Sequence, residues 1–381
     1  MSEPSNNVVV EVESLVKRYK ETIALDHFSL AIERGEVFGL LGPNGSGKTT
    51  ALNCILQLLT YDKGTVRLFG QDMAPTRYDL KRHIGVVPQN LAVFDELTVR
   101  ENIDYFCGLY VQDKVRRRQL VNEAIAFVGL QGYERFRPRK LSGGLARRLN
   151  IACGIAHKPE LIILDEPTVA VDPQSRNAIL EGILRLNAEG STVIYTSHYM
   201  EEVEEICSRI MIMDKGRSVA CGTNAELKAM IGTGEKIRVQ VAKGVGGAVS
   251  AGAARAAGVR ENVSRETFVP ETGNAVPDAA ARGDAAPDVA APVVLREAFG
   301  SVGETPGGVD ELLQRVRELP HTLRASMEGD VLTVDCATGA HNVADVLGVV
   351  ETCGFSFGRI YAEPPTLNDV FLEITGTALR D

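Results

Sequence analysis

The run LGPNGSGKTT, Leu41 to Thr50, fits the pattern G-x-x-x-x-G-K-[ST] through Gly42, Gly47, Lys48 and Thr49. These residue types point to phosphate chemistry. Glycines let a backbone curl until successive N–H groups face anionic oxygens. The whole loop is therefore a candidate phosphate cradle: Gly42, Asn44, Gly45, Ser46, Gly47, Lys48, Thr49 and Thr50. Lys48 can reach the β and γ phosphates, and the Thr49 hydroxyl can ligate Mg2+, a hard ion that favours oxygen. A following helix would add the positive end of its dipole.

Two further stations belong with this loop. LIILDEP is an apolar strand ending in Asp165 and Glu166. One carboxylate at a strand tip can hold Mg2+ through water, and its neighbour can serve as general base toward an attacking water. LSGGLARRL, Leu141 to Leu149, offers Ser142 as a helix cap and bares the backbone N–H groups of Gly143 and Gly144. That makes a second anion site. Two phosphate grips on one chain make sense if each serves a different nucleotide. The simplest solution is a head-to-tail dimer with closed two-fold symmetry, the loop of one copy facing Ser142–Gly144 of the other.

The elements that must carry these residues are legible as pattern. The chain has 381 residues, enough for two or three domains. Residues from about 8 to 232 alternate short apolar runs (VFGLL, HIGVV, LIILD, TVIYTS, RIMIM) with helical stretches such as VRENIDYFCGL and PQSRNAILEGILRLNAE. Buried strands alternating with helices imply a mainly parallel sheet covered on both faces. From 244 to 308 the composition turns to Ala, Gly and Pro, which predicts a disordered insertion. Around it KIRVQV, VDELLQRVREL, TLRASM, VLTVDC, HNVADVLGVVETCG and FSFGRIYA run β, α, β, β, α, β, the ferredoxin-like order. The expected domains are 1–232 and 233–381, the second interrupted by 244–308.

Bulk properties exclude several classes. The formal net charge of -9 weighs against a nucleic-acid partner, since such domains are usually basic. No apolar run reaches the length of a membrane span, and MSEPSNNVVVEV lacks the form of a secretory signal. The 7 cysteines are scattered without a C-x-x-C pair, which argues against zinc or a disulfide framework.

In order, GPNGSGKTT, VVPQN, LSGGL, LIILDEP, VAVDP and TSH resemble the nucleotide-binding subunit of ATP-binding-cassette (ABC) transporters, over roughly residues 8–232. The resemblance implies a P-loop NTPase: an α/β cassette with a mixed sheet core and a helical signature subdomain, followed here by the small α+β ferredoxin-like domain. It implies that Tyr19 stacks on adenine and that Gln89 senses Mg2+ and the γ-phosphate. Asp172 would lie at the dimer seam, and His198 would contact the γ-phosphate. The catalytic set is then Glu166, His198, Gln89 and Lys48, and the metal set Thr49, Gln89 and Asp165, with ATP and Mg2+ bound. The implied partners are a second cassette, identical or paired, and a separate transmembrane permease. The chain would then sit peripherally on the cytoplasmic face of the membrane.

The tail EPPTLNDVFLEITGTALRD, Glu363 to Asp381, is similar to the end of ABC-2-type exporter subunits, including the drug-resistance group. Two positions depart from the family pattern. Leu145 replaces the glutamine of LSGGQ, and Val169 and Ala170 replace the Ser and Gly of the SGLD loop. A non-transport cassette ATPase working on ribosomes or DNA is the alternative, though such proteins usually carry two cassettes or long coiled coils. A monomeric P-loop kinase or GTPase would leave LSGGL unexplained.

Overall fold

The computed structural model describes residues 7–243, 308–337 and 342–376. The chain divides into two units, residues 1–232 with 365–381, and residues 233–364.

The first unit opens with a long antiparallel pair, β1 (Val8–Tyr19) and β2 (Thr22–Glu33); β3 (Val37–Leu41) then leads through a loop into α1 (Lys48–Ile55). β4 (Lys63–Leu68), β5 (Gln71–Asp72), the single turn α2 (Tyr78–Lys81) and β6 (Ile84–Val87) follow. Three helices come next, α3 (Val99–Gly108), α4 (Lys114–Phe127) and α5 (Gly143–Ile155). The chain then alternates through β7 (Leu161–Asp165), α6 (Pro173–Ala188), β8 (Thr192–Ser197), α7 (Met200–Ile206), β9 (Arg209–Asp214), β10 (Arg217–Gly222) and α8 (Asn224–Ala229).

A six-stranded sheet in the order β10-β9-β3-β8-β7-β6 forms the centre, parallel throughout except for β10. β3, β7, β8 and β9 are buried on both faces, as a covered parallel sheet requires, whereas the edge strand β10 is largely exposed. Phe38, Leu40, Leu161, Ile163, Ile194 and Met211 face one core, which α1 shares with the antiparallel sheet β2-β1-β4-β5. Leu41, Ile162, Leu164, Val193, Ile210 and Ile212 face a second core built with α5, α6, α7 and α8. α3, α4 and α5 close a third cluster around Ile103, Val121, Ile125 and Leu149. Thr98 and Glu101 form a reciprocal cap on α3, and Asp113 caps α4; each such cap contributes about 1 kcal/mol.

The second unit comprises β11 (Thr233–Lys243), α9 (Val309–Arg317), β12 (Thr322–Glu328), β13 (Val331–Ala337), α10 (Val343–Thr352) and β14 (Phe355–Glu363). Its antiparallel sheet runs β12-β13-β11-β14. Leu312 and Val316 of α9 and Val346 and Val350 of α10 pack on Ile237, Val239, Leu332 and Val334. This is the ferredoxin-like order. The Ala/Gly/Pro-rich stretch lies outside the described residues except for Gly308, at the start of α9.

One boundary differs from expectation. The last helix, α11 (Leu367–Thr375), was expected within a C-terminal domain 233–381, yet it belongs to the first unit. Its apolar stripe, Leu367, Val370 and Phe371, is buried with Ile206, Leu227 and Ile231. The Leu367 amide also donates to the Glu204 carboxylate at 2.7 Å. Periodicity shows that a helix has an apolar face, not which surface covers it. Among the described residues no helix is long and apolar enough to cross a membrane.

Candidate functional site

The fully buried strand β3 delivers the loop at its C-terminal end. Gly42 has no room for a side chain: a Cβ there would come within 2.2 Å of the Met213 carbonyl oxygen. Gly45 and Gly47 take left-handed backbone angles, φ 81° and 106°, which glycine adopts without steric cost. Gly47 stands at the N-cap of α1 and offers no side-chain acceptor. The first-turn N–H groups of α1 therefore lack a side-chain cap, the arrangement in which a helix start receives an anion.

Ser46 is 2% exposed and its Oγ has no hydrogen-bond partner among the described residues. Lys48 is 5% exposed and curls back to donate to the carbonyls of Gly42 at 2.7 Å and Pro43 at 3.2 Å. Burial pushes its ammonium below the usual lysine range, opposed by the nearby Glu166 and Asp165 carboxylates. An orphaned buried hydroxyl, uncapped amides and a buried ammonium together fit a polyphosphate. Asn44 and Gly45 are exposed, and Thr50 is half-buried.

Asp165 ends β7 and Glu166 follows it, both almost wholly buried. Thr49 Oγ1 donates to Asp165 Oδ2 at 2.9 Å. Thr196 Oγ1, at the end of β8, donates to Asp165 Oδ1 at 2.7 Å and accepts from the Glu166 amide at 2.9 Å. Glu166 takes a left-handed backbone angle, φ 47°. Three groups converge on its carboxylate. Gln89 Nε2 donates to Oε2 at 2.9 Å, Lys48 Nζ lies 3.6 Å from Oε1, and His198 Nδ1 lies 3.5 Å from Oε1. The His198 ring rests against Tyr199, with centroids 4.1 Å apart.

The structure thus brings Lys48, Thr49, Gln89, Asp165, Glu166 and His198 into one cluster. Sequence reasoning missed Thr196, which ties the two carboxylate positions together. Its one signal is a Thr-Ser pair at the end of an otherwise apolar strand.

The remaining candidates gather elsewhere. Ser142 caps α5 by accepting from the Leu145 amide at 3.3 Å. Asp172 caps α6 by accepting from the Ser175 amide at 2.9 Å, and that bond holds its carboxyl below the usual range. Gly144 packs against this cap: a Cβ there would sit 2.4 Å from Ser175 Oγ and 3.0 Å from Asp172 Oδ2. Ala170 sits beneath Gly143 in the left-handed region, φ 58°. Leu145 packs on the α3–α5 cluster. Among the described residues no hydrogen bond or ion pair joins this Ser142–Gly144 and Asp172 patch to the Gly42–Thr50 loop. Tyr19, 45% exposed at the end of β1, makes no hydrogen bond to the loop; Lys17 Nζ lies 5.1 Å from its ring centre.

The residues also fit a magnesium ion. Thr49 and Asp165 present a hydroxyl and a carboxylate side by side, both hard oxygen donors. Among the described residues no group of three or more His, Cys, Asp or Glu side chains could cage a metal alone. Magnesium typically takes one or two carboxylates and completes its shell with substrate phosphates and water.

A family model described as ABC transporter matches residues 25–169. The chain is 40% identical over 233 residues to the linearmycin resistance ATP-binding protein LnrL of Bacillus subtilis (strain 168), covering 61% of this chain and 75% of that protein. It is 39% identical over 234 residues to the daunorubicin resistance ATP-binding protein DrrA2 of Streptomyces coeruleorubidus, covering 61% and 72%. Among solved structures it is similar to the dimeric post-hydrolysis state of the ATP-binding cassette MJ0796 bound to ADP and Pi. That match has a TM-score of 0.53 and 28% identity, and covers 56% of this chain and 98% of the other.

Proposed function

Because this chain belongs to the ABC transporter family of ATP-binding proteins, we propose that it is the ATP-hydrolysing motor subunit of an ABC-2-type exporter of the drug-resistance group. The observation that carries this reading is the convergence on Glu166 of Lys48, Gln89 and His198, beside the Thr49–Asp165 pair. The names of LnrL and DrrA2 support a resistance exporter.

In this reading Gly42–Thr50 and Lys48 hold the β and γ phosphates, and Tyr19 stacks on the adenine. Glu166 orients the attacking water and takes its proton. The oxygen of that water bonds to the γ-phosphorus, the bond to the β,γ-bridging oxygen breaks, and ADP and phosphate leave. Lys48, Gln89 and His198 stabilise the charge that develops on the transferring group. Thr49 and Asp165, with Gln89, would hold Mg2+, which supplies neutralising charge at the phosphate oxygens.

Ser142, Gly143, Gly144 and Asp172 serve the nucleotide of a second copy in a head-to-tail pair. The dimeric MJ0796 cassette supports this reading, as does the lack, among the described residues, of any hydrogen bond or ion pair between the two groups. A separate transmembrane permease is the second partner, with the chain peripheral on the cytoplasmic face. A groove of about 220 Å3 supports the placing of that partner. Val86 and Pro88, next to Gln89, line it together with Phe106, Leu109 and Tyr110. Leu91, Phe94 and Tyr105 are exposed large hydrophobics of the same region, and exposed apolar patches mark interaction surfaces. A short helix of the permease seated there would move the segment that holds Gln89.

Turnover of Mg-ATP by the purified chain tests the chemistry. Lys48→Ala should lower it by about a hundredfold or more. Retained turnover would remove the loop from the mechanism.

A further inference from the structure

Glu202, on α7, is a charged group that the chemistry above leaves unused, and it is completely buried at 0% exposure. A carboxylate so placed is strongly disfavoured unless its oxygens are satisfied. Here they are. Oε2 accepts from Tyr195 Oη at 2.6 Å, Thr168 Oγ1 at 2.8 Å and Ser197 Oγ at 3.0 Å. Oε1 lies 2.9 Å from Arg176 Nε. Ser197 Oγ in turn accepts from the Tyr199 amide at 2.9 Å. Burial, and next the nearby carboxylate, push the Tyr195 phenol well above its ordinary value, so it remains a donor.

These partners come from three segments. Thr168 lies in the loop between Glu166 and Asp172. Arg176 lies in the first turn of α6, the helix that Asp172 caps. Tyr195 and Ser197 belong to β8, which runs directly into His198. We propose that Glu202 is a positioning residue that joins the loop bearing Asp172 to the segment bearing His198, so that γ-phosphate contact at one and facing-copy contact at the other move as one piece. The proposal rests on the paired-cassette reading above. An ionised carboxylate only accepts hydrogen bonds, so it can take several hydroxyl donors on one oxygen and a guanidinium on the other. The amide of a glutamine would turn its NH2 toward the hydroxyls or toward the guanidinium. Toward the guanidinium, donor would face donor; toward the hydroxyls, Tyr195, Thr168 and Ser197 would each have to turn from donating to accepting, which breaks their present arrangement.

The test uses the full-length wild type, Glu202→Gln and Thr168→Val, with three readouts: melting temperature, binding of a fluorescent ATP analogue in Mg2+, and ATPase rate against ATP concentration. Both variants should bind nucleotide within about twofold of wild type, while kcat falls about tenfold or more and the Hill coefficient drops toward one. A merely structural residue would lose binding and melting temperature together with kcat. Folded Glu202→Gln with wild-type kcat and cooperativity would overturn the proposal, as would a loss of kcat no larger than the loss of binding. Should Glu202→Gln fail to fold, Thr168→Val, which removes a single donor, decides by the same readouts. A wild type with no cooperativity would sink the pairing reading separately; the split between kcat and binding would still test whether Glu202 positions His198.

Discussion

Glu166 carries the proposed chemistry from an uncomfortable backbone, φ 47°. A non-glycine residue in such a region costs about 1–3 kcal/mol and persists only where its surroundings hold it. Thr196 is the holder, accepting from the Glu166 amide while donating to Asp165. Thr196→Val keeps the shape and removes both bonds, leaving a buried amide unpaired. Denaturant titration should show a loss of about 1–3 kcal/mol. The ATPase assay should show kcat reduced about tenfold or more with ATP binding retained; a wild-type kcat would contradict this role. Little of this was legible beforehand. Residue types and local spacing marked Thr49 and Asp165 as chemically apt, but the bond between them spans 116 positions, and nothing local encodes it. Thr196 read only as a strand-forming residue, and Glu202 as one acid among several in MEEVEEI. Their partners are tertiary.

At the scale of elements, α5 and α6 meet at Gly144, where Ser175 Oγ and Asp172 Oδ2 leave no space for a methyl group. Gly144→Ala should overpack this contact, lowering stability by about 1–3 kcal/mol, and should displace the capped start of α6 with Asp172. Gly143→Ala is the comparison: its Cβ would meet nothing closer than the Ala170 carbonyl oxygen at 3.8 Å. Melting curves should therefore drop for the first variant and stay near wild type for the second; equal curves would show that the contact is slack. Elements were more legible than contacts. β3, β7, β8 and β9 stand out because both their faces are apolar. The hairpin β4–β5 did not, since KGTVRL exposes four of its six residues to solvent and buries only Val66 and Leu68. The sequence of α11 carries an apolar stripe, but a stripe does not say that α7 and α8 cover it.

At the scale of the molecule, the first unit carries two sets of proposed phosphate-binding residues that no hydrogen bond joins among the described residues. One set is the loop with Lys48 and Glu166; the other is Ser142, Gly143, Gly144 and Asp172. In the proposed pair, each set completes the other across two copies, with ATP clamped between them. Glu166→Gln should bind ATP and stall before hydrolysis, so the clamped pair should accumulate. The direct measurement is light-scattering mass of Glu166→Gln in saturating Mg-ATP. The expected mass is about twice the 41.1 kDa of a single chain, with one ATP bound per chain, and it should return to the single-chain value when Ser142→Arg is added. A single-chain mass for Glu166→Gln at saturating Mg-ATP would contradict it.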